Sequence, residues 1–205
     1  MLIYRYMIYV FQIIVLIFSA IVHEYMHGWM AFQLGDTTAK DAGRLTFNPL
    51  AHLEWFGSFF LPLVMIVTNM PFVFGWAKPV PYNPYNLKDK KYGDAKVALA
   101  GPLGNLIIAI FFGLLLRFSP VVSITFTGLI SLIVYINLVL MVFNLVPIPP
   151  LDGSKILAAF LPERVRARYL NSERYGFILV ILFVMLAGQI IIPAVEFLYR
   201  IIVGA

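Results

Sequence analysis

Apolar residues in this chain fall into blocks that are long for a soluble fold. Four stretches, Tyr6 to Leu34, Ala95 to Phe118, Val121 to Val146 and Tyr175 to Val203, reach or exceed the ~20 helical residues needed to cross a hydrocarbon core. A fifth, Trp55 to Phe74, is apolar but interrupted by Pro62, Pro71 and the polar pair Thr68-Asn69. It reads as a broken span or a re-entrant segment, because irregular backbone at membrane depth survives only when buried in protein or facing water. Polar connections flank it. Gly43-Arg44 and Asn48-Pro49 mark turns in one, and Pro79, Pro81 and Pro84 precede the basic run Lys88, Lys90, Lys91 in the other. Between Phe72 and Tyr82 the aromatic and β-branched content predicts a short strand or hairpin. The expected fold is an all-α polytopic membrane protein, with about four transmembrane helices, a re-entrant segment and a short β hairpin or edge strand near the active site. No polar linker divides it, so residues 1–205 are read as one membrane domain.

Composition sharpens this picture. Only 12% of the 205 residues are charged and 61% are hydrophobic, against about 25% charged in soluble domains. The lipid bilayer is therefore the solvent for much of the chain. The net charge of +5 is topological rather than a sign of nucleic-acid binding, since cytoplasmic loops collect Lys and Arg. With no cysteine, disulfides and thiolate metal sites are excluded, and any metal must be held by His, Asp or Glu. The apolar N-terminal helix runs directly into a polar motif without a small-residue cleavage pattern, so it is expected to be retained.

That motif is His23-Glu24-Tyr25-Met26-His27. On a helix, residues four apart share a face, so both imidazoles can address one metal while Glu24 reaches a water beside it. Polar side chains in a spanning helix can also be satisfied by neighbouring helices. However, a carboxylate between two histidines at membrane depth is costly to bury and usually marks a functional site. A second motif, Asn144-Leu-Val-Pro147-Ile-Pro149-Pro150-Leu151-Asp152-Gly153, follows the third long span. Its prolines end the helix and present Asp152 on an extended turn. Asp152 is then either the third ligand that a two-histidine zinc site requires or an N-cap for the segment starting at Ser154.

Together the two motifs resemble the site-2 protease family of intramembrane zinc metalloproteases (peptidase M50), in its compact bacterial and archaeal branch without a PDZ or CBS domain. Gly101-Pro102-Leu103-Gly104-Asn105 is similar to the GPxxN element of that family's middle core helix. Gly43 to Pro49 and Phe74 to Val80 are similar to loops of the compact branch. The resemblance implies one Zn2+ per chain held by His23, His27 and Asp152, catalysis by Glu24, and Asn144 and Asn105 beside the site. It also implies a transmembrane protein substrate and a multi-pass position in the cell (inner, cytoplasmic) membrane.

Several further expectations follow. Asn144 is a candidate second donor to the oxyanion, and Asn105 either shares that task or joins helices. The stretch Phe74, Gly75, Trp76, Ala77, Lys78, Pro79, Val80 is a candidate substrate-binding edge, receiving backbone groups of an unwound substrate by strand addition. His52 reads as a hydrogen-bonded loop residue. His23 and Asp152 can meet only if their helices run in the same direction, which requires residues 55–74 to re-enter rather than cross. Twelve Lys and Arg then lie on the metal-bearing face and Arg5, Arg117 and Arg200 on the other. This arrangement sets the active site nearer the cytoplasm and both termini outside. A metal-ion or small-solute carrier using the same His/Asp site is the alternative function, but a carrier has no need of Glu24 as a general base.

Overall fold

The computed structural model describes residues 2–52, 54–68, 78–119 and 123–204. Its elements are α1 (Leu2–Gln33), α2 (Thr38–Asp41), α3 (Pro49–His52), a π-helical stretch (Trp55–Phe60) leading into α4 (Leu61–Val67), α5 (Gly93–Phe118), α6 (Ile124–Asn144), α7 (Asp152–Ala158), α8 (Glu163–Asn171) and α9 (Gly176–Val203). Short 3-10 turns cover Pro84–Asn86 and Ser172–Tyr175. Three of these helices are long and apolar enough to cross a membrane: α1 over Tyr6–Gln33, α5 and α6. A fourth span exists only if the two limbs of α9, Ile178–Met185 and Gln189–Val203, bent by 68°, are counted as one. Of the about four spans expected from the sequence, three are single long helices, and the fourth rests on counting both limbs of α9 together. The break falls between Met185 and Gln189, and Pro193 lies within the second limb.

Helix directions follow from the contacts. Asn105 of α5 bonds the Ser19 carbonyl of α1, and Val97, two turns earlier in α5, meets His27, two turns later in α1. These helices are therefore antiparallel. Asn105 also bonds Asn137 of α6, while Tyr199 of α9 bonds Ser131 of α6. The start of α9 lies against Pro150 and its end against Gly113 of α5. So α1 and α6 run one way, and α5 and α9 the other. The long connection between α1 and α5 begins and ends on one side, with Leu34 O accepting from Lys88 N–H at 2.8 Å. Within it the helical run Trp55–Val67 is only about 20 Å long at 1.5 Å per residue, short of a ~30 Å core.

Ala109, Val134, Leu138, Met141, Ile191 and Val195 form one buried cluster among α5, α6 and α9. Large apolar side chains instead face outward, among them Phe18 of α1 and Phe111 of α5, which is 65% exposed. This inversion suits a lipid surround rather than water.

No strand occurs among the described residues, which corrects the expected hairpin over 78–82; its remaining part, residues 72–77, lies outside them. The physical reason is visible at 78–81. Pro79 and Pro81 carry no N–H, Lys78 N–H donates to His52 O at 2.7 Å, and Val80 N–H donates to Glu24 at 2.8 Å. No donor remains there for a ladder.

Candidate metal centre

The helical turn from His23 to His27 sets the two imidazoles edge to face, with centroids 4.6 Å apart and planes at 87°. Both residues are buried, at 6% and 8% exposure. The loop after α6, stiffened by its three prolines, brings Asp152 in from 129 residues away in sequence: its Oδ2 lies 3.0 Å from His23 Nε2 and 3.3 Å from His27 Nε2. Asp152 is the first residue of α7, whose N-cap is Leu151. Its carboxylate thus faces the histidines and does not cap the helix. The donor atoms of His23, His27 and Asp152 all lie within 4.8 Å of one another. A tetrahedral zinc ion with arms of ~2.0–2.1 Å would separate its ligands by about 3.3 Å, so the donor set fits zinc in both chemistry and spacing.

Hydrogen bonds on the far side of each ring set its tautomer. His27 donates from Nδ1 to the Val97 carbonyl at 2.7 Å. His23 donates from Nδ1 to Asn105 Oδ1 at 2.7 Å. The Asn105 orientation is fixed in turn, because its Nδ2 donates to Ser19 O (3.1 Å) and to Asn137 Oδ1 (3.0 Å). Asn137 Nδ2 donates to Ile133 O at 2.8 Å. The relay runs from the α6 backbone through two buried amides to the imidazole and leaves Nε2 of each histidine bare for a cation. Asp152 supplies the third donor, a carboxylate oxygen, to this set.

Two glycines make the approach possible. A Cβ at Gly101 would sit 2.5 Å from His27 Nε2 and 2.7 Å from His23 Nε2. At Gly153 it would lie 2.1 Å from the Leu145 carbonyl oxygen, so only glycine lets the turn fold back and aim Asp152.

Other residues singled out in the sequence are placed as follows. Asn105 stands behind His23 as part of the relay. Asn144 Nδ2 donates back to Leu140 O of its own helix at 2.9 Å. Lys78, Pro79 and Val80 form a strap over Glu24, while Phe74, Gly75, Trp76 and Ala77 lie outside the described residues. His52, the last residue of α3, is fully buried and bonds Thr46 O at 2.7 Å through Nε2; the expected hydrogen bond is present, on a helical turn rather than a loop. Val97, Gly101, Asn137 and Gly153 gained no individual role from the sequence. A backbone carbonyl carries no side-chain signal. Asn137 was the legible exception, being an amide in an otherwise apolar span.

Comparison with known proteins gives a consistent result. The model of a family described as Peptidase family M50 matches residues 118–188. The chain is 39% identical over 191 residues to YwhC of Bacillus subtilis (strain 168), named as a candidate zinc metalloprotease, covering 89% of this chain and 84% of that protein. It is 33% identical over 157 residues to MJ0611 of Methanocaldococcus jannaschii, with the same description, covering 72% of each. Rip2 of Mycolicibacterium smegmatis, also so described, is 29% identical over 164 residues, and the chain spans 62% of its length. No solved structure matches the chain.

Proposed function

The chain belongs to peptidase family M50, and from that membership we propose that it is an intramembrane zinc metalloprotease cleaving peptide bonds in or near the transmembrane segments of membrane proteins. The observation that carries this reading is the convergence of His23 Nε2, His27 Nε2 and Asp152 Oδ2 within 4.8 Å, next to Glu24, among helices whose outer faces are apolar. When bound there, zinc supplies a Lewis acid that acidifies a water and polarises a carbonyl.

The side chains supply the rest. Glu24 takes a proton from the attacking water and returns it to the leaving nitrogen, acting as base and then acid. His23 and His27 remain neutral donors, oriented by Asn105 and Val97. The buried walls formed by α1 and α5 keep the dielectric low, which strengthens each of these interactions. Asn144, one turn before the proline loop, is assigned to the oxyanion side of the site, reached by rotating away from Leu140 O. Residues 74–77 remain the candidate substrate edge. At 78–80 no backbone N–H is left for a substrate, because Lys78 and Val80 already donate to His52 O and Glu24 and Pro79 has none.

The protein is a multi-pass membrane protein, and we assign the metal-bearing end to the cytoplasmic side of the cell membrane. The support is the twelve-to-three distribution of Lys and Arg taken with the helix directions.

The test is cleavage of a single-span substrate by the purified chain in detergent, with zinc measured in parallel. Activity with about one zinc per chain, abolished in Glu24→Gln while zinc is kept, is the expected result. A Glu24→Gln protein that still cleaves, or a wild type that binds no metal, would overturn the reading.

A further inference from the structure

We propose that the backbone N–H of Val80 is the positioning group for Glu24: it holds Oε2 of the carboxylate and leaves Oε1 as the oxygen that handles the proton. The inference rests on the protease reading above and adds a residue to its machinery. Val80 N–H donates to Glu24 Oε2 at 2.8 Å, across 56 residues of sequence.

The sequence around this contact is built for one donor. In Lys78-Pro79-Val80-Pro81, neither proline has an N–H. Val80 is thus the sole backbone donor from 79 to 81, and that donor goes to Glu24. Each proline also fixes its own φ and drives the residue before it toward extended backbone. The strap is stiff before it docks, so little backbone entropy is lost in presenting the N–H.

Its docking is fixed on every side. Lys78 N–H bonds His52 O at 2.7 Å, the Tyr82 hydroxyl donates to the Asp94 carboxylate, and Asn83 N–H donates to Asp36 Oδ2 at 2.7 Å. The Val80 side chain is 6% exposed and its Cγ1 lies 2.8 Å from where a Cβ on Gly28 would stand. Gly28 is one turn after Glu24 on the same helix. The strap is therefore seated against α1 by shape as well as by the hydrogen bond. A glutamate has three side-chain torsions, and a free one would spend little of its time aligned. One fixed hydrogen bond to one oxygen removes most of that freedom while leaving the second oxygen open, which is the pre-organisation that proton transfer rewards.

The test uses the full chain in detergent, a single-span substrate and three variants. Val80→Pro deletes the N–H. A backbone ester at position 80, in which valine is replaced by its α-hydroxy acid, deletes the same hydrogen with the side chain kept. Val80→Thr keeps both the N–H and the branched shape. The expected result is a kcat lower by roughly 10- to 100-fold in the proline and ester forms, with KM, zinc content and thermal stability held, and recovery of most of that loss in Val80→Thr. If the proline form fails to fold, the ester decides. An ester with wild-type kcat overturns the proposal. So does an ester whose kcat falls only together with zinc or stability, since that marks a structural role. Loss of the protease reading would look different, with wild-type protein inactive or Glu24→Gln still cleaving.

Discussion

Asn105 Oδ1 accepts the Nδ1 hydrogen of His23 at 2.7 Å, and this contact determines which nitrogen of the ring is offered to a cation. The amide cannot turn over without facing its Oδ1 toward two other acceptors, because Ser19 O and Asn137 Oδ1 already accept from Nδ2. Outer partners of this kind typically change metal affinity 10- to 100-fold when removed. Asn105→Leu is expected to weaken zinc binding by about that factor, whereas Asn105→Asp, which keeps the acceptor, loses less. Competition against a chelator of known affinity distinguishes the two, and equal affinity in wild type and Asn105→Leu would refute the relay.

Gly101→Ala sets two effects against each other. Alanine in a helix interior is favoured over glycine by about 1 kcal/mol, yet its Cβ would meet His27 Nε2 at 2.5 Å. The rings can yield only by leaving their bonds to Val97 and Asn105. The expected variant folds, melts somewhat lower because two buried bonds outweigh the helical gain, and takes up less than one zinc per chain. Full zinc occupancy by elemental analysis would show that the glycine is merely tolerated.

At Gly153 the obstruction would be backbone, with Leu145 O 2.1 Å away. No rotamer relieves that, so Gly153→Ala is expected to displace Asp152 and lose both zinc and activity. Retention of either would count against the close approach of the two turns.

Asp36 supplies a pH dependence outside the spans. Its carboxylate is wholly buried and accepts from the Thr38 hydroxyl (2.6 Å) and N–H (3.2 Å), from Asn83 N–H (2.7 Å) and from Asn86 Nδ2 (2.9 Å). Burial opposes the charge, and these donors together outweigh it, so its pKa is lowered. Below the ordinary carboxylate value of ~3.9 the unfolded chain takes up the proton first. The stabilisation is thus complete above that value and is lost as pH falls through the lower folded value. In Asp36→Asn one donor faces another, and a charge-accepting bond worth about 1.5–3 kcal/mol disappears. The variant should melt lower than wild type at neutral pH, with the gap narrowing as pH drops below ~4. A gap that does not change with pH would contradict this.

The chain lacks cysteine, so single cysteines report topology cleanly. With the metal-bearing end inside, Ser119→Cys should react with an impermeant maleimide in intact cells and Arg164→Cys only after permeabilisation. The reverse pattern would invert the assignment.

Much of this molecule was legible in its sequence because the determining physics is local. The spans α1, α5 and α6 follow from runs of apolar residues, since lipid leaves the backbone no partner but itself. The pairing of His23 with His27 follows from helical period alone. Prolines 147, 149 and 150 announce a turn, and the family resemblance turned Asp152 from one of two readings into an expected ligand. Tertiary structure decided the rest. Nothing in the spacing of 129 residues says that Asp152 Oδ2 comes within 3.0 Å of His23; that needs α1 and α6 parallel, and two glycines lacking a Cβ where the elements touch. Likewise, aromatic and β-branched content between Phe72 and Tyr82 suggested a strand. At 78–81 the backbone donors were instead taken by His52 O and Glu24, partners on other elements. Local preference is a property of neighbours in the chain, whereas a hydrogen-bond partner is a neighbour in space, and only the packed helices say which groups those are.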